Sequence, residues 1–144
     1  MSSTVGWLLA ASSLILWLAF SSASQFGIYL DIPSLLLLIP VVYGLSFVIH
    51  GTELTVESVS GMKYLFVQQP PRNRHLALLY KNQIKFSMIA AVIGMISGLI
   101  PVLNYMDSFT NIGPALVIVL SPLVYSVVIS GIVFYPLYKK LQAA

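Results

Sequence analysis

KNQIKFSMIAAVIGMISGLIPVLNYMD, residues 81–107, opens with Lys81 and Lys85, runs without charge from Phe86 to Met106, and closes on Asp107. About 20 helical residues cross the roughly 30 Å of hydrocarbon in a bilayer, so the uncharged run is the length of one transmembrane helix. Its ends also give it a direction. Basic residues resist translocation and are held by anionic lipid, which places the lysine end on the cytoplasmic side.

The rest of the chain repeats this charge placement. All seven Lys and Arg residues fall in two places, Lys63–Lys85 and the tail pair Lys139 and Lys140. Both clusters are therefore expected on the cytoplasmic face, with Asp31 and Asp107 on the other. Besides residues 86–106, three further stretches are long and apolar enough to cross: Val5–Ser22, Ile32–His50 and Ala115–Tyr138. Four crossings put both termini and the loop 51–85 in the cytoplasm. The chain reads as a single all-α membrane domain over residues 1–144.

Composition agrees and removes several function classes. Of 144 residues, 58% are hydrophobic and only 8% charged, which is too apolar for a soluble domain. The net charge of +3 is accounted for by topology, so no nucleic-acid partner is expected. There is no Cys, which excludes disulfides, thiol nucleophiles and Cys-ligated metals. The segment 1–25 has a small-residue stretch at Ser21–Ser24 but no Lys or Arg ahead of its apolar run, and reads as a retained first helix facing lipid between Trp7 and Trp17.

Both outer links carry helix-start chemistry. Asp31 precedes Ile32-Pro33, and Asn111 precedes Ile112-Gly113-Pro114, so a capping side chain stands just ahead of a first-turn proline. Helices one and two, and three and four, should then be antiparallel neighbours. On the inner side, Gln68-Gln69-Pro70-Pro71 breaks the chain, and the helical spacing of apolar residues in 75–85 predicts a run straight into the third crossing. Pro40, Pro101 and Pro122 lie inside crossings, where each removes a backbone donor, and kinks are expected at all three.

Small residues mark the close contacts. Ala90, Gly94 and Gly98 recur every four residues in the third crossing; Pro122, Ser126 and Ser130 share a face of the fourth, beside Tyr125. Such seams let another helix approach where no hydrophobic effect drives association, and the helix admitted is either the chain's own neighbour or one from another chain. No Asp, Glu, Lys or Arg lies within any crossing, so the chain alone cannot relay protons. His50 and His75 lack spaced co-ligands for a metal, and Ser12, Ser13 and Ser121 lack a general base. No enzyme chemistry, metal or cofactor is expected.

From residue 93 onward, the order Ile93-Gly94, Gly98-Leu99, Met106-Asp107, Ile112-Gly113-Pro114-Ala115, Tyr125 and Val133-Phe134-Tyr135-Pro136, closing on Lys140-Leu141, resembles the MotA/TolQ/ExbB proton-channel family. The likeness is to the A subunits of bacterial flagellar stators. It covers about one third of the chain. A shorter likeness, Gly27-Ile28-Tyr29-Leu30-Asp31-Ile32-Pro33-Ser34, is similar to the family's entry into its second helix.

The resemblance implies a bacterial inner-membrane subunit, assembled as a pentameric ring around the helices of a single-pass B-type partner whose Asp binds the coupling ion. It also implies that Ala90, Gly94, Met95, Gly98, Pro122, Leu123, Ser126 and Ser130 line the space for that partner. The chain departs from the family at Met88, Met95 and the pair Pro122-Leu123, which stand where the family has a proline, a threonine and two threonines. Lost hydroxyls argue against sodium, which needs oxygen ligands; Ser97 and Ser121 are the nearest substitutes. The inner loop is also too short for the domain that pushes on a rotor. Two other readings stay open: a non-conducting scaffold of the same fold, and an unrelated small four-helix transporter.

Overall fold

The computed structural model describes residues 6, 8–10, 12–13, 15, 31–105 and 112–143. Among the described residues the elements are helical: α1 (Ile32–Gly61), a 3-10 turn (Met62–Leu65), α2 (Arg74–Tyr105), α3 (Ile112–Val128), a π-helical turn (Ile129–Phe134) and α4 (Tyr135–Ala143). Three runs, Ile32–Leu65, Arg74–Asn104 and Ile112–Ala143, are long and apolar enough to cross a membrane. They carry the second, third and fourth expected crossings. The first, Val5–Ser22, lies largely outside the described residues, as do Asp107 and Asn111.

α1 begins where Pro33 can sit without loss, because the first turn of a helix has no partner for its N–H groups. Asp31 precedes it without capping a backbone N–H; its carboxylate instead accepts the Ser34 hydroxyl. The Asp31 N–H donates to Tyr125 Oη at 3.0 Å, which pins the start of α1 to α3. Gly51, with φ 79° and ψ 173°, then interrupts the helix in a backbone region that a side chain makes costly. The two parts are residues 32–50 and 52–61. The first is about 28 Å long at 1.5 Å per residue, close to the hydrocarbon thickness.

α2 is one helix from Arg74 to Tyr105, so residues 75–85 do run straight into the third crossing. Its start is fixed by Asn73, whose Oδ1 accepts the Leu76 N–H at 3.1 Å while its carbonyl accepts the Ala77 N–H at 3.0 Å. The helices continue through Pro40, Pro101 and Pro122. Irregular backbone falls at Gly51 and in the wide turn 129–134, just ahead of Pro136. That proline has no N–H for Ile132, and a widened turn on its N-terminal side removes the mismatch.

α2 sits centrally, packed by α1 on one side and by α3 to α4 on the other. Leu38, Val42, Leu76, Tyr80, Phe134 and Leu137 form much of the core, with the Tyr80 and Phe134 rings stacked 6.2 Å apart. The polarity is inverted relative to a water-soluble bundle. Leu36, Val48, Ile96 and Leu103 are exposed, whereas Ser46, Thr55, Ser58, Gln83, Ser87 and Ser126 are fully buried. Lipid solvates the first set, while the second must be bonded within the protein. Lys140 Nζ donates to the carbonyls of Leu65, Val67 and Tyr64 at 2.7, 3.0 and 3.3 Å, so the tail pair and the basic inner segment lie at one end of the bundle.

Candidate functional site: the α2–α3 seam and the inner polar layer

The small residues of α2 and α3 meet each other. A Cβ built on Gly94 would lie 2.8 Å from Pro122 Cβ and 3.0 Å from Leu37 Cδ2, so three helices converge on this glycine. One turn further out, a Cβ on Gly98 would lie 3.5 Å from Val119 Cα. Toward the inner end Ala90 is buried, the Ser126 hydroxyl points at Met88 Sδ at 3.4 Å, and Ser87 Oγ stands 2.5 Å from Ser130 Oγ. The seam is the small-residue packing expected between membrane helices.

Of the eight residues singled out from sequence, Ala90, Pro122, Ser126 and Ser130 are buried by the chain itself. Gly94 and Gly98 are half-buried and face α3, and Met95 and Leu123, beside Gly94 and Pro122 in sequence, are also half-buried. The helix that the small residues admit in this arrangement is the chain's own neighbour.

The hydroxyl protons of the seam are committed. Ser87 donates to the Ile84 carbonyl at 2.8 Å, and a hydroxyl has one proton, so Ser130 must be the donor in their pair. Ser46 and Ser121 donate back to carbonyls one turn earlier, at 2.8 Å each. With no Asp, Glu, Lys or Arg in residues 32–50, 86–106 or 115–138, these groups can bond and pack but cannot titrate.

A second polar layer lies below the crossings, and sequence reasoning passed over it. His50 Nε2 and Asn82 Nδ2 are 2.9 Å apart, beside the break at Gly51. Tyr80 Oη donates to the Ser58 carbonyl at 2.6 Å, and Gln83 Nε2 to Ser58 Oγ at 3.4 Å. Gln83 Oε1 is buried without a hydrogen-bond partner among the described residues. Thr55, Ser58 and Gly61 form the face that accepts α2; a Cβ on Gly61 would come within 2.6 Å of Tyr80 Oη. The sequence signal was their spacing of three opposite Glu53 and Glu57. At the same end, beyond the fourth crossing, burial holds the Lys140 ammonium below the ordinary lysine range.

Comparison of the chain with protein-family models, curated proteins and solved structures finds no match, so the residues themselves carry the functional reading.

Proposed function

We propose that the chain is a ring-forming subunit of the bacterial inner membrane, of the kind its C-terminal third resembles, enclosing the helix of a B-type partner that supplies the ion-binding Asp. The observation that carries this reading is α2. It is the central helix, yet along its uncharged length from residue 86 onward Met88, Val92, Ile96 and Leu103 remain exposed. Further helices from other copies or a partner would cover it. The absence of Asp, Glu, Lys and Arg from all four crossings assigns any titrating group to that partner. Native mass spectrometry in mild detergent tests the assembly: five copies with one or two single-pass chains are expected, and a monomer would sink the proposal. Proton uptake in vesicles should collapse when the partner's aspartate is changed to Asn.

One observation favours a second reading, a non-conducting scaffold of the same fold. The seam is closed by Gly94 on Pro122 and its hydroxyls are bonded within the chain, while Met88, Met95 and Leu123 are apolar. Met95→Thr combined with Leu123→Thr separates the two. A gain of ion leak marks a degenerate channel, and unchanged tightness marks a scaffold.

A further inference from the structure

Below the crossings, α1 and α2 continue side by side. His50 meets Asn82, Ser58 meets Tyr80 and Gln83, and Glu57 Oε1 accepts from Asn73 Nδ2 at 3.1 Å, so residues 52–61 and 73–83 run antiparallel in one layer. Their outward faces carry opposite charge. Glu53 and Glu57, one helical turn apart, are exposed around a shallow open depression completed by Thr52, Val56 and Ser60. On α2, Arg74, Lys81 and Lys85 are exposed at spacings of seven and four, with exposed Leu78 between them, which sets all four on one helix face. Among the described residues no ion pair joins the two sets within the chain.

We infer that the Glu53–Glu57 face of one copy docks on the Arg74–Lys81–Lys85 face of the next, as the head-to-tail contact between copies of this chain. This rests on the ring reading and gives that ring its interface. Anionic lipid is a poorer occupant of the basic face. Arg74 lies eleven residues from Lys85, about 16 Å along the helix, whereas headgroups extend only about 5–8 Å beyond the hydrocarbon. Lipid also leaves the two glutamates facing a negatively charged leaflet. A second copy places each set against its opposite, because both already lie in the same layer. The contact continues upward on the same α2 face, where Met88, Val92 and Ile96 are exposed and apolar. Two different patches meeting in this way form a heterologous interface, which closes into a ring when the rotation per copy permits.

Charge reversal of the full chain tests the pairing, with Lys85 retained to preserve membrane orientation. The variants are Glu53→Lys with Glu57→Lys, Arg74→Glu with Lys81→Glu, and all four together, each followed by native mass spectrometry against protein concentration in mild detergent. Either reversed pair should raise the concentration for half-assembly by about tenfold or more, and the fourfold variant should return close to wild type. Assembly that survives both reversals overturns the interface. So does a fourfold variant that stays dispersed, since that marks damage rather than lost pairing. Loss confined to the Arg74→Glu, Lys81→Glu variant, and only with anionic lipid present, assigns the basic face to lipid instead. A wild-type chain that is itself monomeric removes the ring reading along with its interface.

Discussion

Replacing Gly94 by Ala adds a single methyl group at the point where three helices meet. That carbon would sit 2.8 Å from Pro122 Cβ, 2.9 Å from Pro122 Cγ and 3.0 Å from Leu37 Cδ2. Carbon atoms in contact prefer about 3.5–4.0 Å, so the closest approach is short by roughly 0.7 Å. Leu37 can turn aside, but the proline ring is fixed to its own backbone, and relief requires α2 and α3 to separate. Separation loosens what the seam holds inward of Gly94, the Ser126–Met88 contact and the Ser87–Ser130 pair. Overpacking of this kind costs about 1–3 kcal/mol, against roughly 1 kcal/mol gained from replacing a helical glycine by alanine. A net loss of up to about 2 kcal/mol is expected. Gly98→Ala is the internal control, since its methyl would lie 3.5 Å from Val119 Cα, an ordinary contact, and should be neutral or mildly stabilising. Reversible unfolding of purified protein in mixed micelles of mild detergent and dodecyl sulfate measures both. If Gly94→Ala matched wild type while Gly98→Ala unfolded earlier, the packing of the seam would be misassigned. Leu37→Ala should fail to rescue Gly94→Ala, because the proline contacts remain.

Three further outcomes follow from single residues. Gly51→Ala should cost about 1–3 kcal/mol in the same assay although nothing lies within 4 Å of the added methyl, because the cost is backbone strain at φ 79°; Gly44→Ala, equally open but helical, should not destabilise. Lys140→Met removes the donor from three carbonyls and should speed amide hydrogen exchange in residues 62–67, whereas Lys139→Met, at an exposed position, should leave it unchanged. Gln83→Met replaces an amide with a buried, unpaired oxygen by an apolar chain of similar length, so unfolding should be neutral or later by up to about 1 kcal/mol; a loss beyond about 2 kcal/mol would mean that the oxygen is bonded.

The sequence was most legible where one physical term dominated. Uncharged length located three helices long and apolar enough to cross a membrane, and residues 32–50 end at the glycine that breaks α1. The seam was legible because Gly and Ala at a four-residue spacing have little other use in a lipid-facing helix. Which helix enters that seam was not legible, since small-residue spacing is the same for a neighbour in the chain and for a stranger; the Gly94–Pro122 approach shows the neighbour in place. A proline's missing N–H announces a local defect without ending a membrane helix, and α1, α2 and α3 continue through theirs. The inner layer stayed hidden because Thr55, Ser58, Tyr80 and Gln83 come from two segments, and no local pattern links a tyrosine hydroxyl to a carbonyl 22 residues away.

The wide turn at 129–134 sets the phase of everything after it. Each hydrogen-bonded ring there holds one residue more than in an α-helix, so regularising the segment would rotate the C-terminal helix by about 100° about its axis. Leu137 and Leu141 would swing out of the core, and the Lys140 ammonium would leave its three carbonyls. This turn acts as a swivel: the tail's grip on the carbonyls of Tyr64, Leu65 and Val67 is decided by winding number six residues upstream, with no change in any side chain.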